Sequence, residues 1–365
     1  MCRFKSGLGY REVSEEHDEG ASRAGTKLGA DRVAVVVNGN AKQVTEDLVD
    51  ILDQIVQSGD LFVSRSLEEG AEIARTIVRR GYPTVLTGGG DGTFVQMVTM
   101  IVREADRAGE KPPRFGLLRL GTGNALAWVL GAQSPKHRGV IADLGRLRKE
   151  GGSRGLRLLE VEGQLSPFAG LGIDAIALHD YNTTKALLSR FPVTRPLSSG
   201  GPAYLISIVG KSIPGYLLKP HPRVRVTNLG EPALLLDDDG RVARELGAGE
   251  LLYEGPSRMV AMSTIPYWGF GARIFPYAED RDDRFSLRVV DIDPVQVVFG
   301  IRKIWKGTYR SKTVHDFLCE RVAIHYDDPM PMQIGGDSIG PRTDVEVRLA
   351  PRRLEVVDYY APPPV

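Results

Sequence analysis

Two glycine-rich stretches hold the residues best suited to chemistry. The first, TVLTGGGDGTFVQMV (84–98), sets Gly88, Gly89 and Gly90 directly before Asp91, Gly92 and Thr93. Consecutive glycines let a backbone pass close to a ligand and turn its amides inward. A helix starting at that point adds free N–H groups and the positive end of its dipole. Anionic phosphate is the natural guest of such a cradle. Asp91 is informative there, because a carboxylate repels phosphate unless it holds Mg2+ or accepts a proton from an attacking group. Thr93 either caps the helix or bonds a phosphate oxygen. A merely tight turn needs one glycine, not three followed by Asp, Gly and Thr. The second stretch, LRLGTGNALAWVL (118–130), opens a helix with Gly121, Thr122 and Gly123, and Asn124 suits its cap. Alone it is a common G-x-G turn. Ala127 stands four residues after Gly123, where a dinucleotide fingerprint wants a third glycine three residues on.

Both loops need strands to aim them. VAVVV (33–37), LFVS (61–64), PTVLT (83–87) and FGLLRL (115–120) read as short buried strands. Helical stretches lie between them. Thr45 caps one whose Leu48, Ile51, Leu52 and Ile55 share a face, and Leu67–Arg80 forms another, closed by Gly81. Phe94–Arg107 and Asn124–Leu130 continue the alternation, which implies a parallel, doubly wound sheet. Loops at successive strand ends of such a sheet converge on one crevice at its carboxyl edge. After about residue 155, short stretches ending in Gly, Asn or Asp read as an antiparallel sandwich, interrupted by helices at 203–213 and 295–309. The expected fold class is therefore α/β. An N-terminal doubly wound parallel-sheet nucleotide domain precedes a C-terminal, mostly antiparallel β-sandwich domain, with a cleft between them. The boundaries are a polar, disordered leader (1–31), the α/β domain (32–154), the β domain (155–358), and a tail (359–365). The last strand of the β domain is free to return to the first domain.

Composition narrows the function classes. A chain of 365 residues, 42% hydrophobic and 25% charged, can bury two cores without staples. Lys+Arg 47 against Asp+Glu 46 leaves a net charge of +1, which excludes a broad nucleic-acid footprint. Cys2 and Cys319 make neither a disulfide framework nor a metal quartet, and a reducing compartment follows. The charged N-terminus lacks a signal peptide's apolar stretch, and no run reaches the roughly 18 apolar residues of a membrane span. The six histidines form no paired metal-binding pattern, and Asp237-Asp238-Asp239-Gly240 reads as a hairpin turn.

GGGDGT (88–93) followed by LGTGNALA (120–127) resembles the diacylglycerol kinase catalytic-domain family. That family includes bacterial lipid kinases and sphingosine and ceramide kinases, with NAD kinases as more distant kin. The resemblance runs from about Arg32 to Val357. It takes in GLGIDA (170–175), GFGARIFPYAEDRDDRFSLRVV (269–290) and MQIGGDSIGP (332–341), the last similar to the family's D-G-E turn. It implies a nucleotide domain, a β-sandwich lipid-substrate domain, and Mg2+-dependent transfer of the ATP γ-phosphoryl group to a lipid hydroxyl. Carried over, it implies that Gly88, Gly89, Gly90, Gly92 and Thr93 hold nucleotide phosphates. Asn38, Ser66, Gly121, Thr122, Gly123 and Asn124 complete the nucleotide pocket, Asp91 and Asp283 lie at the metal, and Asp91 and Asp337 are catalytic.

The departures are specific. Phe94-Val95-Gln96 replaces the family's x-N-E and removes a carboxylate. Arg119 replaces a proline, Ala125 an aspartate, and Arg284 the glycine after Asp283. The D-G-E turn reads Gly335-Gly336-Asp337, so the expected general base has become glycine, and proton abstraction falls to Asp337 or Asp91. Three readings stay open: a kinase for a diacylglycerol-, ceramide- or sphingoid-type lipid, an NAD kinase-like enzyme, or a catalytically impaired nucleotide- or lipid-binding relative. The expected partner is lipid presented at a membrane surface, with a cytoplasmic protein visiting it transiently and an open oligomeric state. In 301–312, Arg302, Lys303, Lys306, Arg310 and Lys312 surround Trp305 and Tyr309. They either rest on an anionic bilayer or form a solvated face with two aromatics packed inward. Phe168, Leu187, Leu188, Phe191, Ile213, Tyr216 and Leu217 line an acyl groove or belong to plain core.

Overall fold

The computed structural model describes residues 32–360, except 42–43, 57–58, 122, 134–136, 149–151, 174, 176–220 and 270. The leader, the helix expected over 203–213, Thr122, and all the groove candidates except Phe168 lie outside the described residues.

The first sheet is built on β1 (Val33–Asn38), whose four central residues are buried, with β2 (Leu61–Ser64) and β3 (Thr84–Gly89) parallel on either side. β4 (Arg114–Arg119) pairs parallel to β3. Local rules account for its helices. Thr45 caps α1 (Glu46–Ile55) by accepting the Leu48 N–H, and Ser66 caps α2 (Leu67–Arg80) by accepting that of Glu69. α3 (Asp91–Ala108) follows β3, and α4 (Ala125–Leu130) follows β4. An unforeseen α5 (His137–Arg148) comes next. Its sequence carries Gly139 and Gly145, which lower helix propensity, but burial of Val140, Leu144 and Leu147 overrides them.

β5 (Gly152–Leu156) then joins the first sheet, while the twelve strands that follow form a second, entirely antiparallel network. They are β6 (Leu159–Val161), β7 (Gln164–Ser166), β8 (Phe168–Gly172), β9 (Arg223–Asn228), β10 (Ala233–Leu236) and β11 (Val242–Leu246). β12 (Leu251–Pro256), β13 (Met259–Ser263), β14 (Phe285–Val290), β15 (Val314–Cys319), β16 (Arg321–Ile334) and β17 (Asp337–Leu349) complete it. β16 pairs with β9 through Val322–Tyr326 and with β8 through Met332–Ile334, its register broken between His325 and Met330. One long strand thus serves both halves of the network, around a core that includes Val226, Met262, Leu287, Phe317 and Tyr326. Before β15, α6 (Pro294–Trp305) stops short of the expected 309. Gly307 turns left-handed (φ 72), and its N–H and that of Thr308 bond the Ile304 and Lys303 carbonyls.

The last strand, β18 (Leu354–Asp358), leaves this network and inserts in the first sheet, parallel to β4 and antiparallel to β5. The order there is β2-β1-β3-β4-β18-β5. A second tie is α3. Its Phe94, Met97, Val98 and Ile101 enter the first core, and Val95 enters the second. The Thr99 hydroxyl accepts the N–H of Leu165 in β7 at 2.9 Å. Phe94 is fully buried, edge-on to Phe115 with ring centroids 6.5 Å apart. Phe94→Ala is expected to lower unfolding free energy by about 3–5 kcal/mol. Urea unfolding followed by circular dichroism reads this directly, and an unchanged midpoint would show that the contact does not hold α3.

Candidate active site

β3 runs on through Gly88 and Gly89, and α3 begins at Asp91, three residues before the expected Phe94. Close approach explains the glycines. A Cβ at Gly89 would lie 2.4 Å from Thr93 Oγ1, and one at Gly121 only 2.2 Å from the Gly90 Cα. The two glycine loops therefore touch backbone to backbone. Asn38 Nδ2 donates to Thr93 Oγ1 at 3.1 Å, which ties the end of β1 to the first turn of α3.

Asn124 does not cap α4 with its side chain. It sits in the left-handed region (φ 48) and sews up its own loop, accepting the Gly121 N–H and donating back to the Gly121 carbonyl. The cap comes from Asp91 instead. Its Oδ2 accepts the Ala125 N–H at 2.7 Å and its Oδ1 the Leu126 N–H at 3.0 Å. Burial pushes the Asp91 carboxyl up to about 6, with those amides pulling against it and the Asp337 charge adding to it.

Asp337 arrives from the second domain on a two-residue hairpin. Gly335 (φ 57) and Gly336 (φ 87) both take the positive φ that such a turn demands. The Gly336 N–H donates to Gln333 Oε1 at 2.8 Å. The hairpin sets the Asp337 carboxylate on Gly92, where a Cβ would lie 2.2 Å from Asp337 Oδ2, and Gln96 Nε2 donates to that oxygen at 3.3 Å. The residue faces solvent on its outer side, while burial of its carboxyl end raises its pKa. Gly335 has no room for the family's acid, since a Cβ there would lie 2.4 Å from Val95 Cγ2.

Two of the expected site residues spend their side chains on other partners among the described residues. Ser66 uses its hydroxyl to cap α2, at 3.2 Å from the Glu69 N–H. Asp283 is gripped by both arms of Arg281 at 3.0 Å and by Arg284 at 3.0 Å, and these hold its carboxyl below its ordinary value. No hydrogen bond or ion pair joins Asp283 to Asp91 or Asp337 among the described residues. A protein-held Mg2+ between Asp91 and Asp283 does not fit. Asp283 is neutralised by arginines, Asp91 is occupied by amides, and no described group of three His, Cys, Asp or Glu could hold a metal. Asp237 accepts the N–H groups of Asp239 and Arg241 at 2.9 and 2.8 Å, in keeping with its reading as a turn.

Two further side chains, Arg119 and Trp128, neighbour the second loop. The Arg119 guanidinium lies 5.1 Å over the Trp128 ring and forms no ion pair with a described acid. Trp128 in turn leans on Tyr267, with Gly271 packed against it. Their signal was the arginine itself, in a position where the family carries proline.

The family model of the diacylglycerol kinase catalytic domain matches residues 32–150. The match takes in the first domain with both glycine loops, in accord with the resemblance read from those loops. Solved structures carry the fold across both domains. A Bacillus anthracis str. Sterne protein provisionally named a diacylglycerol kinase superposes with a TM-score of 0.62 at 16% identity, over 90% of this chain and 97% of that one. A diacylglycerol kinase from the same organism gives 0.55 at 14% identity, with the same coverage. An NAD kinase from Archaeoglobus fulgidus in complex with ATP gives 0.40 at 11% identity, over 90% of this chain and 94% of that one. No curated protein matches the sequence.

In the folded chain Asp91 keeps its proton up to about pH 6, against 3.8 ordinarily. Between these values the folded state binds more protons than the unfolded one, so stability falls as pH rises through that window. Asp143, raised to about 6 chiefly by burial, acts with the same sign. Asp91→Asn is expected to make the fall shallower but not flat, as read from urea midpoints across the window; an unaltered slope would contradict this. Gly335→Asp is expected to cost about 1–3 kcal/mol, from backbone strain and overlap with Val95. Equal stability in chemical denaturation would show that the hairpin tolerates an acid there.

Proposed function

We propose that this protein is an ATP-dependent lipid kinase, transferring the γ-phosphoryl group to the hydroxyl of a diacylglycerol-, ceramide- or sphingoid-type lipid. One observation carries the reading. The second domain delivers a carboxylate, Asp337, onto the phosphate cradle of the first.

The amides of the loop from Gly88 to Gly92 and the N-terminus of α3 receive nucleotide phosphates, together with the second loop from Gly121 to Gly123. Arg119 adds a cation beside that loop. Magnesium enters as MgATP, held by the phosphates of the co-substrate rather than in a protein cage. Phosphoryl transfer of this kind depends on positioning and charge more than on covalent help. Asp337 accepts the proton of the acceptor hydroxyl as its oxygen bonds to the γ-phosphorus, and the bond to the β–γ bridging oxygen breaks to release ADP. The raised pKa of Asp337 makes it a stronger base than a free carboxylate, and Gln96 orients it. Asp91 serves as a positioning residue, since both of its oxygens are occupied by α4.

The D-G-E-like turn and LGTGNALA favour a lipid over NAD as acceptor. No described helix is long and apolar enough to cross a membrane, and the lipid is met at the bilayer surface. A second reading, a nucleotide- or lipid-binding relative without turnover, draws on Gly335.

Labelled ATP offered with diacylglycerol, ceramide, a sphingoid base and NAD separates these readings. Label is expected in a lipid. Label in NAD alone, or in no acceptor although ATP binds, would sink the proposal. Asp337→Asn is expected to lower kcat by about 10²–10⁴-fold with the KM for ATP little changed. In the parent, activity is expected to fall as pH drops through the raised pKa of Asp337, because the base must be ionised to act.

A further inference from the structure

The two sides of α6 differ in kind. On the inner side Trp305 packs against the cluster around Ala272, Ile274 and Phe275, and Tyr309 lies so close over Gly300 that a Cβ there would be 2.5 Å from its ring. On the outer side Phe299 is 87% exposed, more than any other large hydrophobic residue described. At about 100° per residue, Gln296, Arg302, Lys303 and Lys306 fall within one stripe centred on Phe299. All five are exposed. Lys306 keeps to the helical path, its N–H bonding the Arg302 carbonyl at 3.2 Å. Among the described residues, Arg302, Lys303 and Lys306 have no ion-pair partner. Arg310, by contrast, is turned inward to the Asp238 carbonyl and the Tyr277 hydroxyl, at 2.7 Å each. The helix dipole explains cations in a last turn. It does not explain an aromatic ring left in water in their midst.

We propose that the outward face of α6, Phe299 with Arg302, Lys303 and Lys306, is where this protein docks on an anionic lipid bilayer. An apolar wedge among unpaired cations matches an interface of acyl chains beneath acidic headgroups. The surface also lies one segment away from the site. The Trp305 carbonyl accepts the Arg273 N–H at 2.8 Å, and from Arg273 the chain runs back through Gly271, against Trp128, to Gly269, near Gly123. The inference rests on the lipid-kinase reading for the reason a bilayer is visited, but the binding itself needs no catalysis.

The test is co-sedimentation of the full chain, without nucleotide, with vesicles of phosphatidylcholine alone or with one part in three phosphatidylserine. Binding is expected with phosphatidylserine and is weakened by salt. Phe299→Ser, and separately the triple change Arg302→Gln, Lys303→Gln and Lys306→Gln, are each expected to reduce it about tenfold or more. These side chains are exposed, so urea midpoints should not move. Phe299→Trp supplies a positive readout, an emission that shifts to the blue with the acidic vesicles only. The proposal is overturned if the parent does not bind, if both variants bind as the parent does, or if Phe299→Ser merely turns a dimer into a monomer with vesicle binding unaltered. Vesicle binding that depends on α6 without lipid phosphorylation would refute the kinase reading and leave the docking face standing. Lipid phosphorylation with binding indifferent to α6 would do the reverse.

Discussion

A buried carboxylate shared between two helix beginnings organises the site. Asp91 opens α3, yet its oxygens close the N-terminus of α4. Charge buried this deeply is costly unless hydrogen-bonded, and the two amides and the positive end of α4 offset part of that cost. The bond fixes the second glycine loop against the first, and the approach of Gly121 to Gly90 leaves no room for a side chain between them. Amides can stabilise charge only if they are already aimed. Here one buried side chain holds the two loops in place.

The second constraint is that α3 belongs to both domains. Phe94 and Val95 are neighbours in sequence, yet they enter different cores because successive helical residues point about 100° apart. Val95 also lies under Gly335, so the helix that follows the first glycine loop seats the hairpin that delivers Asp337. With β18 returned to the first sheet, the chain ties the two domains together at a second place. The absence of a side chain at Gly335 is then part of the fit rather than a simple loss: the hairpin presses on α3 at the position where the family would place its acid.

Much of the frame was legible because it obeys short-range rules. Thr45, Ser66 and Gly81 mark helix ends through contacts three to five residues away, and VAVVV reads as buried because nothing polar interrupts it. The site was legible only as a set of residue types. Asn124 looks like a cap by position, but its φ of 48 turns its side chain onto Gly121. Asp283 looks like a metal ligand by motif until two arginines are seen to hold it. The outward turn of Phe299 depends on which face of α6 the rest of the fold covers.

The sequence by itself determined that two glycine loops would end adjacent parallel strands, and that an antiparallel domain would follow. Periodicity and glycine placement act within a few residues, so they survive without any knowledge of the whole. Only the tertiary structure decided the partners: Asp91 with amides 34 and 35 residues on, Gln96 with Asp337 at a separation of 241. Pairings at such distances follow from how sheets stack and strands return, which no local pattern encodes. Hence the same aspartate that the sequence offers as metal ligand or base becomes, once folded, the clasp of the two glycine loops.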